Sequence, residues 1–139
     1  TGQVAVEVAK GFHERLGMTF WDWGIPTLAS LVEVCQSTEL SVMASGGIRT
    51  GIDAAKAIAV GADAVGVALP LLRQAMEGYD RVDQALMTLI GELKTAMFLT
   101  GSASIEELKA SSLVITGRTA DWLEARGFHP ERYAGRTPA

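Results

Sequence analysis

The chain has 139 residues, of which 48% are hydrophobic and 20% are charged, a globular composition that excludes intrinsic disorder as its main description. Its 12 Lys and Arg residues against 16 Asp and Glu residues give a net charge of −4 without a basic cluster, which argues against nucleic acid and anionic membrane surfaces as partners. A single cysteine, Cys35, excludes an intramolecular disulfide and a cysteine-built metal site, which fits a reducing cytoplasm.

We expect neither a membrane-spanning segment nor a targeting leader in this sequence. The most apolar stretch, residues 54–72, is interrupted by Lys56, Asp63 and Pro70, so we predict that it does not cross a bilayer. The chain begins at Thr1 rather than at a methionine, and no basic region with a following apolar region succeeds it. We therefore expect that the beginning of the gene product is missing.

The middle of the chain predicts an alternation of helices and short strands. In chain order these are a helix over residues 27–36, a strand over residues 42–45, a helix over about residues 52–60 and a strand over residues 64–68. Thr27 is predicted to cap the first helix. Thr50 and Asp53 form a capping-box pair at the start of the second helix, which Gly61 ends. Because the connections are short, we predict right-handed crossovers and a parallel sheet.

The last part of the chain predicts a helical tail. It contains a short helix over residues 71–77, a longer helix over about residues 80–100, a short helix opened by Ser104 and Glu107, and a last helix over residues 119–126. The longer helix carries one apolar stripe, formed by Val82, Leu86, Leu89, Leu93 and Met97. We expect this stripe to face the core or a subunit interface rather than a cofactor.

Two strands with their helices do not complete a parallel sheet, because such a sheet buries both faces and needs a neighbour at each edge. We therefore predict an α/β fold, namely the C-terminal portion of a (β/α)8 TIM barrel with parallel strands and a helical C-terminal tail. Residues 1–139 would form about the last third of one domain whose N-terminal part is absent. That missing part of the barrel is the first expected partner of this chain.

The residues best suited to chemistry lie in the segment 45–51, between a strand end and a helix start. Gly46 and Gly47 allow positive φ and a close approach of the backbone to an anion. Successive N–H groups and the following helix N-terminus offer hydrogen bonds to phosphate. The next strand leads through residues 67–70 directly into a short helix, and this is where such barrels usually bind phosphate. We predict that the two loops bind a phosphate group; a tight turn without a ligand is the alternative.

Other polar residues have a weaker claim to function. Arg49 is expected to offer its backbone N–H, because its guanidinium is as well suited to a surface salt bridge as to a ligand. Cys35 lies on the apolar side of its helix, which indicates a buried and inert thiol. Asp22 is a candidate supporting carboxylate, but packing of the two flanking indoles into the outer layer of the barrel is the simpler account. His13 and His129 have no third partner at metal spacing, so no metal site is predicted.

The glycine segment resembles a family of flavoenzymes once other segments are added to it. Gly46-Gly47-Ile48-Arg49 alone is similar to many flavin or phosphate barrels, including the 2-hydroxy-acid oxidases and the inosine monophosphate dehydrogenase group. The full set, in order, is DWGIPT (22–27), ASGGIRTG (44–51), GAD (61–63), ALP (68–70), ELKTAM (92–97), LTG (99–101) and VITG (114–117). Together these segments resemble the C-terminal part of the type 2 isopentenyl diphosphate isomerases, and the tail segments are the most specific because the oxidases do not share them.

The resemblance implies an FMN-dependent (β/α)8 barrel that interconverts isopentenyl diphosphate and dimethylallyl diphosphate in isoprenoid biosynthesis. It also implies Mg²⁺, NADPH as the reductant of the flavin, and a cytoplasmic homotetramer or larger homo-oligomer. The residues that it implies as FMN contacts, the last five through their backbones, are Thr1, Gly47, Ile48, Arg49, Ala68 and Leu69. Thr1 would match the threonine that ends a Gly-Gly-Thr turn, although Gln3 stands where the family commonly has a tryptophan.

The resemblance places the catalytic groups outside this chain. The basic residues that bind the diphosphate, the flavin-facing lysine and the Mg²⁺-binding Gln-Glu pair of the family belong to earlier barrel strands. We therefore predict no catalytic and no metal-binding residue here, and no isomerase activity for this chain alone. The implied chemistry is an allylic shift by proton addition and removal, with reduced flavin as the acid–base group and the protein supplying orientation and electrostatics.

Two other functions remain open at this point. One is another FMN barrel oxidoreductase, such as a 2-hydroxy-acid oxidase, but those enzymes need a His and an Arg near the flavin and no such segment precedes the glycines. The other is a non-enzymatic phosphate-binding half-barrel that pairs with another chain, or with itself, through its exposed strand edges. A defined dimer with bound phosphate and no flavin colour would favour the half-barrel.

Overall fold

The structure is a computed structural model that describes residues 14–136. Its elements in chain order are α1 (Glu14–Thr19), α2 (Thr27–Ser37), β1 (Met43–Ser45), α3 (Gly51–Val60), β2 (Ala64–Gly66), α4 (Leu69–Glu77), α5 (Tyr79–Leu99), α6 (Ile105–Ala110), α7 (Arg118–Ala125) and a 3-10 helix (Pro130–Tyr133). All the predicted elements are present, and their ends differ from the predictions by at most about two residues, the usual uncertainty of a boundary. The sequence does not predict α1 or the 3-10 helix.

The two strands form a parallel sheet within the described residues, with Ser45 opposite Gly66. Helix α3 is the crossover between them, which confirms the predicted α/β class. Both strands are shorter than predicted because the flanking residues bond elsewhere. The amide of Val42 donates to the carboxylate of Asp63 at 2.7 Å, and Ala68 has helical backbone angles at the start of α4.

Helix α3 begins and ends where the local sequence predicts. The hydroxyl of Thr50 accepts a hydrogen bond from the amide of Asp53, whose carboxylate accepts one from the amide of Thr50 in return, so the capping box is confirmed. Gly61 ends the helix with a φ of 133°, a value that favours glycine. Most residues of α3 are small and buried, which lets α2 and α5 pack closely against it.

Helix α2 begins differently from the prediction. Pro26 occupies the N-cap position with extended backbone angles, and Thr27 is the first helical residue, so the side chain of Thr27 does not cap the helix. Its hydroxyl instead donates to the carbonyl oxygen of Gly46 at 2.6 Å. The prediction was wrong because that acceptor lies 19 residues further along the chain, outside the reach of any local pattern.

Two clusters of buried side chains join these layers. The larger one consists of Ala29, Leu31, Val32, Ala44, Ile48, Ala54, Ala57, Val60, Ala62, Leu123 and Tyr133. The smaller one consists of Ala55, Ile58 and Leu108, with Leu93, Ala96 and Met97 of α5 packed against it. The predicted stripe of α5 therefore faces the core at its C-terminal half, whereas Leu86 nearer its start is 39% exposed.

The tail helices follow their local sequence signals. The Ser104 hydroxyl accepts from the amide of Glu107, and the Glu107 carboxylate accepts from the amide of Ala103 at 2.7 Å, which confirms the predicted cap of α6. Leu123 of α7 is fully buried and anchors this helix on the larger cluster. No helix within residues 14–136 combines the length and the hydropathy that a membrane crossing needs.

Candidate anion-binding site

The glycine turn, residues 46–50, follows β1 and has a backbone that requires glycine at two positions. Gly46 and Gly47 have φ values of 89° and 88°, in the region that side chains other than glycine rarely adopt. The side chain of Ile48 is buried in the larger cluster and holds the turn against the core, while Gly46 and Gly47 stay exposed. The Thr27 hydroxyl fixes the first carbonyl of the turn.

The end of the glycine turn is fixed by two carboxylates. One oxygen of Asp53 accepts from the amides of Arg49 and Thr50 at 3.1 Å and 3.0 Å. The carboxylate of Glu92, on α5, accepts from the amide of Gly51 at 2.6 Å. Although partial burial alone would raise the pKa of Asp53, its hydrogen bonds from Thr50 and from these two amides lower that pKa below its ordinary value. The first-turn donors of α3 are therefore largely occupied by the chain itself.

The second loop, residues 67–69, follows β2 and leads into α4. Ala68 is the N-cap residue of this nine-residue helix and makes no side-chain capping bond. Pro70 stands at the second helical position, where its missing N–H removes no intrahelical bond. The amides of Ala68 and Leu69 thus begin a helix whose positive end has no carboxylate cap from its own N-cap residue.

The glycine turn and the second loop lie side by side. Ser45 and Gly66 are paired at the ends of neighbouring parallel strands, which are about 5 Å apart in such sheets. The Ser45 hydroxyl donates to the carbonyl of Gly66 at 3.4 Å. Arg49 from the turn, Val67 from the second loop and Pro70 from the first turn of α4 also line one groove of about 410 Å³ beside α4 and α5. The two loops therefore form one continuous edge of the sheet.

Four amides at this edge donate no hydrogen bond to any of residues 14–136: those of Gly47, Ile48, Ala68 and Leu69. Backbone N–H groups in a glycine-rich turn and at a helix start are donors from which a phosphate dianion accepts hydrogen bonds. A charge-assisted hydrogen bond contributes about 1.5–3 kcal/mol, so a few of them can hold a phosphate without lysine. The residues present therefore fit a phosphate group.

The predicted ligand residues are placed unequally with respect to this edge. Gly47 and Ile48 follow β1, Ala68 and Leu69 follow the paired strand β2, and their amides donate to none of residues 14–136, whereas the Arg49 amide already donates to Asp53. The side chain of Arg49 is exposed. Thr1, the remaining predicted contact, lies outside the described residues.

The tryptophan segment departs from the expectation. Trp21 and Trp23 are 50% and 80% exposed, so residues 14–136 do not supply the layer into which both indoles were predicted to pack. The carboxylate of Asp22 pairs with the guanidinium of Arg118 at 2.6 Å, and both side chains are largely exposed. Asp22 is thus a surface ion-pair partner rather than a neighbour of the anion site.

The remaining candidates have structural explanations. Cys35 is half-buried rather than fully buried as predicted. Its partial burial, followed by the charge of Asp63, raises the pKa of its thiol, which supports the prediction of an inert thiol. His129 is exposed and lies 2.9 Å from the carboxylate of Glu131, while His13 lies outside the described residues. Residues 14–136 contain no group of three or more potential metal ligands.

The sequence patterns do not predict the roles of two residues that fix the geometry of the site. Thr27 and Glu92 reach the glycine turn and its following helix from 19 and 41 residues away. A threonine beside a proline predicts a local cap, and a glutamate on a helix predicts a solvated charge. Only their packing partners distinguish them from those ordinary roles.

Comparison with known proteins gives a family and a fold. The model of the family described as FMN-dependent dehydrogenase matches residues 21–115. A mandelate oxidase structure with 3,3-difluoro-2-hydroxy-3-phenylpropionic acid aligns with a TM-score of 0.61 and 30% identity, covering 81% of this chain and 36% of that one. A mandelate oxidase mutant with the monooxide FMN adduct gives the same TM-score and identity over 81% of this chain and 38% of that one. The predicted fold, part of a (β/α)8 barrel, is confirmed.

Three similar curated proteins are each named isopentenyl-diphosphate delta-isomerase. The one from Methanothermobacter thermautotrophicus is 50% identical over 137 residues, 99% of this chain and 39% of its own length. The one from Thermococcus onnurineus is 51% identical over 113 residues, 81% of this chain and 30% of its own length. The one from Methanosarcina barkeri is 47% identical over 121 residues, 87% of this chain and 33% of its own length. This chain therefore spans about a third of the length of these relatives.

Proposed function

Because this chain belongs to the FMN-dependent dehydrogenase family, we propose that its glycine turn and second loop hold the phosphate of FMN. The observation that carries the proposal is a set of four amides in the two loops at one end of the sheet, those of Gly47, Ile48, Ala68 and Leu69, which donate to none of residues 14–136. Arg49 joins this set through its backbone only if its amide shares its hydrogen with Asp53 and the phosphate. Thr1 completes the proposed set of flavin contacts.

The proposed activity of the whole protein is the isomerisation of isopentenyl diphosphate to dimethylallyl diphosphate. Its support is the shared name of relatives that are 47–51% identical to this chain. We place residues 1–139 as the C-terminal part of a single barrel domain, with the N-terminal part of the barrel as their partner. Cytoplasmic location, homo-oligomerisation, Mg²⁺ and NADPH belong to the same proposal, and the ligands for Mg²⁺ and NADPH lie outside this chain.

The residues of this chain bind and orient rather than react. The amides of the glycine turn and the second loop fix one end of the cofactor, and such fixation sets the distance of its ring from the substrate. Reduced FMN, when bound, supplies proton donation and removal for the allylic shift. No residue of this chain is assigned to the chemical step or to a metal, so the chain alone is expected to be inactive.

The proposal is tested with the full-length polypeptide that contains this segment. An intact mass together with a flavin absorbance scan of the purified protein is expected to show a longer chain with bound FMN. Gly47→Ala places a Cβ at a φ of 88°, which costs about 1–2 kcal/mol in the turn and should weaken FMN binding by about tenfold or more. Gly101→Ala carries the same backbone penalty at a φ of 71°, in open space at the end of α5, and is the matched control.

The outcomes separate the alternatives. Equal FMN affinity of the Gly47→Ala and Gly101→Ala proteins would contradict the phosphate site. The mandelate oxidase structures favour a second candidate, oxidation of a 2-hydroxy acid, on the same flavin site. Turnover of a 2-hydroxy acid without isomerisation of isopentenyl diphosphate would replace the first activity with the second.

A further inference from the structure

We propose that Glu92 is a positioning residue, which fixes the amides of the phosphate site by holding Gly51; this inference rests on the proposed FMN-phosphate site. Glu92 lies on α5 and Gly51 is the first residue of α3. The Glu92 Oε2 accepts from the Gly51 amide at 2.6 Å in a partly buried contact. A short bond from a backbone N–H to a carboxylate at a helix start is charge-assisted and is favoured by the helix dipole.

The contact depends on the absence of a side chain at Gly51. A Cβ at this position would collide with the main chain of α5 at Leu89 and Leu93, and with the Cβ of Glu92. The main chains of α3 and α5 are therefore in direct contact where α3 begins. This close approach lets the carboxylate of Glu92 reach the amide of Gly51. It also fixes the position of the first residue of α3 along the axis of α5.

The bond acts on the glycine turn through the first residues of α3. Gly51 directly follows the turn, and Asp53 in the same helical turn holds the amides of Arg49 and Thr50. Glu92 does not itself bind the anion, because its carboxylate and a phosphate are both negatively charged. Its effect on Gly47 and Ile48 is geometric, because it sets where the end of their turn lies.

The same bond connects the glycine turn with the second loop. Helix α5 follows α4 after Gly78 and packs against it, and α4 begins at the second loop. Glu92 therefore joins the α4–α5 pair to α3, and so fixes the position of the Gly47 and Ile48 amides relative to those of Ala68 and Leu69. Loss of the bond would let the two loops move relative to each other without unfolding either of them.

The experiment measures the dissociation constants of FMN and of riboflavin, which lacks the phosphate, for the full-length polypeptide. Glu92→Ala, and Glu92→Asp with its shorter side chain, are expected to raise the FMN constant by about tenfold and to leave the riboflavin constant unchanged. Glu92→Gln keeps an oxygen acceptor for the Gly51 amide and should restore FMN binding to within about threefold of wild type.

Glu107→Ala is the matched control, because Glu107 makes the same kind of bond to the amide of Ala103 at the start of α6. It should lower thermal stability without changing either dissociation constant. Equal weakening of FMN and riboflavin in the Glu92 variants would show a merely structural role and overturn the inference, as would unchanged FMN binding. Failure of the wild-type polypeptide to bind FMN would instead contradict the proposed function.

Discussion

The two ends of the β1–β2 sheet differ in whether their polar groups have hydrogen-bond partners among the described residues. At the carboxyl end, the glycine turn and the second loop present amides without partners among residues 14–136. At the amino end, the carboxylate of Asp63 accepts from the amide of Val42 and from the ammonium of Lys109. Arg136 closes the same region by donating to the carbonyls of Ala59 and Lys109 at 2.5 Å and 2.9 Å.

This difference indicates that the amino end of the sheet serves stability and the carboxyl end serves ligand binding. At the amino end, Asp63, Val42 and Lys109 satisfy one another's hydrogen bonds, so these groups need no ligand. Free amides held in a fixed array are available for binding, and in barrels of this kind they gather at the carboxyl ends of the strands. Substitutions at the amino end should therefore change stability, and those at the carboxyl end should change ligand affinity.

Gly51→Ala is expected to have the largest effect because it affects both properties. The new methyl group would collide with the main chain of α5, and overpacking of this kind costs about 3 kcal/mol. Displacement of α3 would also separate the glycine turn from the second loop and weaken FMN binding. Urea unfolding and an FMN titration of the full-length polypeptide measure the two effects.

Gly91→Ala is the control for this substitution. Gly91 lies in the interior of α5, and a Cβ there would meet nothing within 4 Å. Alanine at an exposed helix position is expected to add about 0.5–1 kcal/mol of stability. A Gly51→Ala protein as stable as Gly91→Ala would show that α3 and α5 are not in direct contact.

Asp63→Asn should lower stability in a pH-dependent way and leave FMN binding unchanged. The hydrogen bond from Lys109, and then that from the amide of Val42, lower the pKa of Asp63 from its ordinary value of 3.8. Its contribution to stability is therefore complete above about pH 4 and is lost as the pH falls through the lower pKa of the folded state. The melting temperatures of wild type and variant should differ at pH 7 and converge as the pH falls from 3.8 through the lower pKa of the folded state.

Asp83→Asn, at an exposed position on α5, controls for the removal of one negative charge. A melting-temperature difference for Asp63→Asn that persists undiminished at low pH would mean that its ion pair is not the cause. A change in FMN affinity at pH 7 would break the proposed separation between the two ends of the sheet.

The local features of the fold were predictable because their signals are short-range. Thr50 with Asp53, and Ser104 with Glu107, are capping pairs three residues apart, and the structure contains both. Positive φ in the glycine turn also follows from composition, since glycine is the residue that tolerates it. The position of the candidate anion site was predicted from these signals and from the order of the elements.

The fixation of the site was not predictable from the sequence. Thr27 and Glu92 act across 19 and 41 residues, and their roles depend on which helices pack together. The exposure of Trp21 and Trp23 likewise depends on which elements surround them, and not on their own hydrophobicity. Periodicity identifies an apolar face, but it does not specify the distance between two helix axes, which decides whether a carboxylate reaches an amide.

Arg49→Ala is expected to have the smallest effect, and it tests whether the site depends on amides or on a guanidinium. The Arg49 side chain is exposed, and an exposed ion pair contributes about 0–1 kcal/mol at physiological salt. Alanine keeps the backbone amide and its bond to Asp53, so the FMN dissociation constant should rise by less than about threefold. A salt-dependent loss of tenfold or more would instead place the guanidinium on the phosphate. A site built from backbone amides requires Gly47→Ala, which changes no charge, to weaken FMN binding more than Arg49→Ala does. The reverse order would show that the guanidinium, and not the backbone, is the main phosphate contact.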